Sequence, residues 1–414
     1  MSKRQMLTGN AAAAWGARLS AIDYLPAFPI TPQTEIIETL AKWIDLEEFD
    51  ARFVSMDSEH SMITAAGAAA ATGVRVFSAT SSQGLLYGME MLYTAAGWRS
   101  PFVLVNVSRG LAAPITLEPD HNDILAARDS GCLQLHCATC QEVLDAVLLA
   151  YRIAEDSRVR LPVIVNLDGF YLSFTREPVD IPDPAQASRF LPPFDALEQG
   201  FRGGRPCNAA VAVLGGSTYS YFRYQAHLAA QNALDVMTEC SCEFADIFGR
   251  HYSVIEAYHC DDAEVVFVML GSFATKAKAA VDTLRDAGQA VGLLRPFLLR
   301  PFPTEAFRTA LAGKRGVAVI DQNLAPGFGG VLHNELAAKL YDDREERPAL
   351  VSFIGGLGGR DIAPEEFCEM AEIARKAAEE KQSPPPRLLY TEGEWREMKK
   401  LQAIAMHQDR EDRT

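Results

Sequence analysis

Residues 53–80, FVSMDSEHSMITAAGAAAATGVRVFSAT, contain the pattern that decides the fold. The stretch opens with a short apolar run, turns polar at MDSEHS, and continues as an alanine-rich helical run (62–73). It closes with VRVFSAT (74–80), whose valines and flanking turn residues are typical of a buried strand. A strand, a helix and a second strand in this order indicate a βαβ unit with parallel strands.

The same alternation continues on both sides of this unit. PFVLVNVS (101–108) and LPVIVNLD (161–168) have the composition of further buried strands. The apolar spacing of ITPQTEIIETLAKWI (30–44) and QEVLDAVLLAYRIAED (141–156) predicts helices between them. We therefore predict that residues 1–175 form an α/β domain with a parallel sheet and helices on both faces.

The rest of the chain is predicted to contain a second, smaller domain. Residues 176–206 are rich in Pro and Gly without a clear period, which indicates an inter-domain linker. Residues 207–380 resume the alternation, beginning with the apolar run NAAVAVLG (208–215), and predict a second α/β domain. Residues 381–414 form a charged tail that we expect to pack loosely or on a partner.

The composition narrows the class of protein. The chain has 414 residues, 48% of them hydrophobic, and a formal net charge of -15, which argues against a nucleic-acid-binding surface. No apolar run reaches the roughly 18 residues of a membrane span, and the N-terminus lacks a targeting pattern. We expect a cytoplasmic protein that crosses no membrane, with its eight cysteines as reduced thiols.

Polar residues follow four of the predicted strands of the first domain. They are Thr31 in AFPITPQTE, Glu59 in MDSEHS, the loop Thr80–Gln83 in TSSQG, and Arg109 in NVSRGLAAP. The carboxyl ends of parallel strands meet at one edge of a sheet, where ligands usually bind. We therefore expect these side chains to converge on one site.

Simpler structural roles are available for some of these residues. Thr31 alone is more typical of a helix N-cap before Pro32, although one hydroxyl can both cap a helix and contact a ligand. Asp57 or Ser58 can cap the alanine-rich helix, which leaves Glu59 without a capping role on a helix too apolar to face water. His121 is expected to be either solvated or satisfied within the core.

Cys132, Cys137 and Cys140 have the C-x4-C-x2-C spacing of plant-type iron–sulfur ligands. However, CLQLH is also typical of a strand and ATCQEVLDAVLLA of the helix after it, and no glycine-rich loop surrounds the thiols. We expect these cysteines to pack as small buried side chains, and we predict no metal site in this chain. The glycine stretches APGFGG (325–330) and GGLGGRD (355–361) do not match a dinucleotide-binding fingerprint.

Taken together, several stretches resemble a known family. FPITPQTEIIETL, NVSRGLAAPI, DHNDILAARDSG, VGLLRPFLLRPFP and GGLGGRD resemble the alpha subunit of pyruvate:ferredoxin oxidoreductase and related thiamine diphosphate-dependent 2-oxoacid:acceptor oxidoreductases. The match runs to about residue 370. It implies an α/β fold with a thiamine diphosphate pyrimidine-binding domain followed by a transketolase-C-terminal-like domain.

The resemblance also implies site residues and a reaction. Glu59 corresponds to the glutamate that contacts the thiamine aminopyrimidine ring, Arg109 to the arginine that pairs with the substrate carboxylate, and Thr31 to the threonine that hydrogen-bonds substrate. Ser82 and Gln83 are expected to contact the cofactor. The implied reaction is oxidative decarboxylation of a 2-oxoacid to acyl-coenzyme A and CO2, with electrons passing to iron–sulfur clusters.

The chain lacks two parts of such an enzyme: a GDG-plus-asparagine motif for Mg²⁺ and diphosphate, and a ferredoxin-like cysteine set. We expect Mg²⁺ and [4Fe-4S] clusters in partner subunits, with coenzyme A as co-substrate. The expected partners are a beta subunit with the diphosphate/Mg²⁺ site, a gamma subunit, a ferredoxin-like iron–sulfur subunit and, optionally, a further electron-transfer subunit.

The substrate and the role of the chain have alternatives. Glu118 and Cys132 stand where pyruvate enzymes often carry large aromatic residues. The 2-oxoacid is therefore pyruvate, an aryl 2-oxoacid such as phenylglyoxylate, or a branched-chain 2-oxoacid. The alternative to a catalytic role is that of a non-catalytic structural subunit of the same kind of complex.

Overall fold

The computed structural model describes residues 3–194, 201, 204, 206, 208, 211–342 and 347–411, with the side chains described as far as residue 404. The strands are β1 Lys3–Thr8, β2 Tyr24–Ala27, β3 Arg52–Ser55, β4 Phe77–Thr80, β5 Val103–Ser108, β6 Leu133–His136, β7 Val163–Asp168, β8 Arg176–Ile181, β9 Ile255–Tyr258, β10 Val265–Met269, β11 Val291–Pro296, β12 Leu298–Arg300, β13 Gly316–Asp321, β14 Ala349–Ile354 and β15 Arg387–Leu388. The helices are α1 Gly9–Leu19, α2 Thr34–Asp45, α3 Glu59–Ala70, α4 Gln83–Tyr87, α5 Met89–Trp98, α6 Asn122–Ala126, α7 Cys140–Ala154, α8 Pro184–Phe190, α9 Gly216–Phe248, α10 Ala274–Asp286, α11 Thr304–Leu311, α12 Val331–Lys339, α13 Pro364–Glu380 and α14 Glu392–Glu411, with 3-10 turns at Ala127–Asp129 and Leu357–Gly359.

The first sheet has the order β12-β6-β7-β5-β4, and the pair β2-β3 lies beyond β4, joined to it by a parallel bridge between Tyr24 and Val76. β4, β5, β6 and β7 are parallel, whereas β12 is antiparallel to β6. Every residue of β5 and β7 is buried, as expected for strands covered on both faces. The predicted parallel α/β fold is confirmed.

The second sheet has the order β15-β14-β13-β10-β11-β9, parallel except for β9. The two sheets are joined through β12, which follows β11 in the chain but pairs with β6 of the first sheet. The buried guanidinium of Arg295 strengthens this junction, because it donates to Glu142 Oε1 at 2.7 Å and to Glu256 Oε2 at 2.8 Å. Loops that follow strands of the second sheet also contact residues 119–121, which follow β5 of the first sheet.

Two segments differ from their description by sequence alone. The stretch 176–206 begins with β8, which pairs antiparallel with β1, and continues with α8, whose N-terminus Asp183 caps. The predicted strand over NAAVAVLG is wrong for Asn208 and 211–215, which have no strand structure; 209–210 lie outside the described residues. The described residues of this run form no strand pairing, and the side chains of Val211 and Leu214 are exposed. The domain bounds themselves stay a prediction.

The charged C-terminal tail is anchored at its beginning. β15 adds to the edge of the second sheet beside β14. The guanidinium of Arg360 donates two hydrogen bonds to the carboxylate of Glu394 at the start of α14. Among the described residues, every helix is too short or too polar to cross a membrane.

Candidate active site

Glu59 lies at the carboxyl end of β3, as the first residue of α3. Ser58 caps this helix, because its hydroxyl accepts a hydrogen bond from the backbone N–H of Ser61 at 3.2 Å. Glu59 is therefore not needed as the cap, yet its side chain is only 6% exposed. No described residue donates a hydrogen bond to its carboxylate, and a buried carboxylate without a partner is costly. Such a group is typical of a ligand contact rather than of a stabilising interaction.

A buried hydroxyl group without a partner among the described residues, that of Thr80, lies close to Glu59, and the next residue along the chain carries another. A Cβ placed on Gly84 would lie 2.4 Å from Glu59 Oε1 and 2.6 Å from Thr80 Oγ1, so glycine is required at this close approach. The hydroxyls of Thr80 and Ser81 are buried and make no hydrogen bond within the described part of the chain. Buried polar atoms are nearly always hydrogen-bonded, so these groups point to a bound polar molecule or to ordered water.

Arg109 follows β5 and joins three of the four predicted stretches. Its guanidinium donates to the backbone carbonyl of Thr31 at 2.7 Å and to Gln83 Oε1 at 2.8 Å. The side chain is buried, and this burial lowers the pKa of Arg109 below its usual value. Arg109 Nε and Gln83 Nε2 remain buried donors without a partner among the described residues. Arg109 is therefore an inward-facing cation with donor capacity left, not a surface charge.

The structure corrects the capping role of Thr31. α2 begins at Thr34 with Gln33 in the N-cap position, so Thr31 is not the N-cap and Pro32 is not the first helical residue. Gln33 instead closes a turn before the helix by donating its N–H to the carbonyl of Ile30 at 3.0 Å. Thr31 itself is exposed, and it contributes its carbonyl to Arg109. A substrate contact by its hydroxyl stays a prediction.

Ser82 holds the loops of the site together. Its backbone has a φ of 50°, an uncommon conformation for a residue with a side chain. Its hydroxyl is 3.0 Å from the carbonyl of Gly110 and 2.7 Å from Gln83 Oε1. These contacts lie within the protein, so the cofactor contacts of Ser82 and Gln83 also stay predictions.

Asp123 is a central residue of the site that sequence reasoning missed. It is fully buried, and this burial raises the pKa of its carboxyl group despite the hydrogen bonds that oppose the rise. The sequence signal is weak, because the DHND motif contains two acidic residues, Asp120 and Asp123, and the spacing does not indicate which of them faces the site. Its carboxylate accepts hydrogen bonds from Ser82 N (3.0 Å), Asn106 Nδ2 (3.1 Å), Ser108 Oγ (2.5 Å), Arg109 N (3.3 Å) and Ile124 N (2.7 Å).

His121 lies within the core, one of its two expected environments, but only its Nε2 has a partner, and its buried Nδ1 makes no hydrogen bond to a described residue. Its Nε2 lies 2.7 Å from Asp168 Oδ1, and Asp168 Oδ2 accepts from the backbone N–H of Ser272 at 2.8 Å. Burial alone would lower the pKa of His121, but the charge and hydrogen bond of Asp168, together with the charges of Asp123 and Asp120, raise that pKa. The hydrogen bond between Ser272 and Asp168 joins the end of β7 to the loop after β10 of the second sheet.

Cys132 and Cys137 are buried directly before and after β6, and Cys140 is buried as the first residue of α7. Burial raises the pKa of the Cys132 thiol to about 12 and that of the Cys137 thiol well above its usual value. Thiolates, not thiols, ligate iron, so these environments disfavour a cluster. Within the described ranges, no group of three or more His, Cys, Asp or Glu side chains is arranged to hold a metal.

We expect the double variant Cys137→Ala/Cys140→Ala to leave the iron content of the purified complex unchanged. Both side chains pack in the core, so the variant should instead lower thermal stability modestly through lost contacts. Iron is measured by colorimetric chelation on the assembled complex, with Cys242→Ala at an exposed position as the matched control. Loss of about four irons per protomer in the double variant alone would show that a cluster is bound here.

Comparison with known families assigns the two halves. Residues 16–241 match the family model described as pyruvate flavodoxin/ferredoxin oxidoreductase, thiamine diphosphate-binding, and residues 263–367 match pyruvate:ferredoxin oxidoreductase core domain II. The first half, with its inward-facing carboxylate and arginine, is thus a thiamine diphosphate-binding domain of an oxidoreductase subunit. With more than half of its residues matched, the chain belongs to the pyruvate flavodoxin/ferredoxin oxidoreductase family.

Individual relatives support this assignment. Pyruvate synthase subunit PorA of Methanothermobacter thermautotrophicus is 41% identical over 90% of this chain and 94% of the relative. Ketoisovalerate oxidoreductase subunit VorA of Pyrococcus horikoshii is 39% identical over 91% of this chain and 95% of the relative.

A solved structure shows the same fold. The chain superposes on 2-oxoglutarate:ferredoxin oxidoreductase from Magnetococcus marinus, solved with 2-oxoglutarate, coenzyme A and succinyl-CoA bound, with a TM-score of 0.69 and 20% identity. The match covers 92% of this chain and spans 65% of the length of that chain. At this identity the likeness shows the fold alone.

Proposed function

We propose that this chain is the alpha-type subunit of a coenzyme A-acylating 2-oxoacid:acceptor oxidoreductase. The enzyme would convert a 2-oxoacid and coenzyme A to acyl-coenzyme A and CO2 and pass two electrons to iron–sulfur clusters. The observation that carries the proposal is the buried side chain of Glu59, whose carboxylate has no donor among the described residues and lies beside the hydroxyl of Thr80, which is likewise unpartnered there.

The described residues fit the aminopyrimidine half of thiamine diphosphate. When bound, the cofactor supplies the carbon nucleophile that attacks the 2-oxo group. Glu59 would accept a hydrogen bond from the pyrimidine ring and stabilise the protonated ring, and Gly84 leaves space for this contact. Thr80 and Ser81 offer hydroxyls that still lack partners. Glu59 is only 6% exposed, so most of its side chain is shielded from water.

Arg109 would bind the carboxylate of the substrate. A guanidinium fork matches two carboxylate oxygens, and the contacts to Gln83 and Thr31 hold the fork in one orientation. The Nε–H of Arg109 and the Nε2 amide of Gln83 are the donors left over for a ligand. Thr31 is exposed next to this fork and would add a hydroxyl contact to the substrate.

Partner subunits would complete the enzyme. The sequence lacks the GDG-plus-asparagine motif, so a beta subunit would hold Mg²⁺ and the diphosphate, and a ferredoxin-like subunit would hold the [4Fe-4S] clusters. A gamma subunit completes the proposed assembly. Two of the relatives are named as subunits, which supports a hetero-oligomer.

Pyruvate is the substrate that we propose first. Several relatives at 38–41% identity are named pyruvate synthase subunits, and the ketoisovalerate oxidoreductase subunits at 38–39% identity make a branched-chain 2-oxoacid the second candidate. Phenylglyoxylate is the third, because Glu118 and Cys132 replace large aromatic residues that are frequent in pyruvate enzymes.

The proposal is tested by purifying the chain with its partners under anoxic conditions. We expect a coloured complex that contains thiamine diphosphate and oxidises pyruvate in a coenzyme A-dependent assay, with 2-oxoisovalerate and phenylglyoxylate as competing substrates. Calorimetry should detect no tight Mg²⁺-dependent binding of thiamine diphosphate to the isolated chain, because the diphosphate site is missing. A colourless homodimer without thiamine diphosphate or activity would instead support the structural-subunit alternative.

A further inference from the structure

The loop after Arg109 folds back on its own beginning. The backbone N–H of Gly110 donates to the carbonyl of Glu118 at 3.0 Å, and a Cβ on Gly110 would lie 2.5 Å from Thr116 Cγ2. The position of the backbone at Gly110 is therefore tied to that of Glu118. Since Gly110 directly follows Arg109, a shift of Glu118 would be transmitted to the backbone that carries the guanidinium.

We call the part of the chain that carries the second sheet the second unit. Its glycine turn, Gly355–Gly359, follows β14 and contacts this same loop. Gly359 donates its N–H to the carbonyl of Pro119 at 2.9 Å. A Cβ on Gly359 would lie 2.9 Å from the Cβ of Glu118 and 3.2 Å from Cδ of Pro119. The φ of Gly359 is 74°, so both its backbone conformation and its surroundings require glycine. This turn belongs to the GGLGGRD stretch, for which sequence reasoning found no cofactor role.

A second loop of the second unit holds the following residues. The N–H of His121 donates to the carbonyl of Gln322 at 2.8 Å, and Asn122 Oδ1 accepts from the backbone N–H of Leu324 at 3.1 Å. Residues 118–122, which we name the brace, thus lie between the loops after β13 and after β14. The next residue, Asp123, accepts from the backbone N–H of Arg109, so both ends of the brace are joined to the site.

We propose that the second unit positions Arg109 for the substrate carboxylate through this brace. Gly359 is the residue that sets the distance between the glycine turn and the brace. The identity of the ligand of Arg109 rests on the function proposed above. The existence of the brace rests only on the contacts just described. Two hydrogen bonds connect the glycine turn to the backbone of Arg109: Gly359 to Pro119, and Gly110 to Glu118. Gly359 is a positioning residue, because it acts on substrate through Arg109.

The test compares Gly359→Ala with Gly358→Ala in the purified complex. Gly358 has a φ of 58° in the same turn, but an added Cβ there meets nothing within 4 Å. Both variants therefore strain the backbone, whereas only Gly359→Ala pushes against the brace. We expect KM for the 2-oxoacid to rise about 10- to 100-fold in Gly359→Ala, with kcat changed much less, because small displacements from productive geometry are costly. Gly358→Ala should stay close to wild type.

Two further readouts do not depend on turnover. Calorimetry with oxamate, a non-reacting analogue of pyruvate, should show weaker binding to Gly359→Ala than to Gly358→Ala. Hydrogen exchange followed by mass spectrometry should show faster exchange of the amides of Gly110 and His121 in Gly359→Ala alone, since both donate within the brace contacts. Equal KM values and equal exchange in the two variants would overturn the brace.

A third variant covers the case in which Gly359→Ala does not assemble. Asn122→Ala removes the contact to Leu324 without adding an atom, and it should raise KM and amide exchange in the same direction but less. Unchanged KM and exchange in Asn122→Ala would then decide against the brace. If the wild-type complex has no 2-oxoacid activity, the proposed function fails, whereas the exchange result still tests the brace.

Discussion

We expect replacement of Glu59 by Gln to slow exchange of the thiamine C2 proton with D2O by about 10²–10⁴-fold in the assembled complex, the range typical of general acid–base groups. Glutamine keeps the shape and a hydrogen bond but cannot stabilise a protonated pyrimidine ring. Turnover should fall with the exchange rate, because in the proposed reaction the deprotonated cofactor would supply the nucleophile. Rapid-quench exchange followed by NMR measures this rate directly.

The fold should survive this substitution. Ser58, not Glu59, caps α3, and the Glu59 carboxylate has no hydrogen-bond donor among the described residues that a glutamine would lose. A neutral amide is also cheaper to bury than an unpaired carboxylate. We therefore expect the Glu59→Gln complex to assemble normally and to melt at or above the temperature of wild type.

Asp57 supplies the matched control. It lies two residues before Glu59 and is exposed, and its contact with Ser61 lowers the pKa of its carboxyl group. Asp57→Asn should leave C2 exchange and turnover near wild type. Fast exchange in Glu59→Gln would rule out the proposed role of Glu59, and slow exchange in Asp57→Asn alone would mean that the other carboxylate acts.

The sequence predicts the elements of this fold where apolar patterning is strong. β5, β7 and α7 are buried along their lengths, so their near-continuous apolar runs are visible without knowledge of the fold. A helix is predicted between NAAVAVLG and the next strand, but the bounds of α9 are not evident from the sequence, because residues 216–224 are exposed and only the later part packs, which leaves no constant apolar stripe. β12 was missed because its antiparallel partner β6 lies more than 150 residues earlier in the chain.

In the site, too, the residues that follow strands could be predicted from the sequence, whereas the contacts that depend on packing could not. Thr31, the Thr80–Gln83 loop and Arg109 converge because each follows a parallel strand, either of the first sheet or of the β2-β3 pair bridged to it, a rule that sequence alone can apply. The inward orientation of Asp123 depends on donors from distant parts of the first half of the chain, and the approach of Gly359 to the brace depends on the loop after β14. No local pattern encodes either arrangement. The unpartnered hydroxyls of Thr80 and Ser81 likewise become evident only when their surroundings are known.

Arg109→Ala should lower kcat/KM for the 2-oxoacid by about 30-fold to several thousand-fold, since truncating one partner of a buried charge pair costs about 2–5 kcal/mol. The fall should appear largely in KM if the arginine binds ground state and transition state alike. Steady-state kinetics on the purified complex measure both constants. C2 proton exchange in the absence of substrate should stay near wild type, because that step depends on Glu59.

Arg109→Lys and Arg152→Ala make this result specific. Lysine keeps the charge but not the planar fork, so it cannot contact Thr31, Gln83 and a carboxylate together, and we expect poor rescue. Arg152 pairs with Glu243 at 3.0 Å on the partly exposed face of α7, and a surface pair of this kind contributes little. Its alanine variant should keep kcat/KM near wild type. A kcat/KM for Arg109→Ala within about threefold of wild type would show that the substrate carboxylate binds elsewhere.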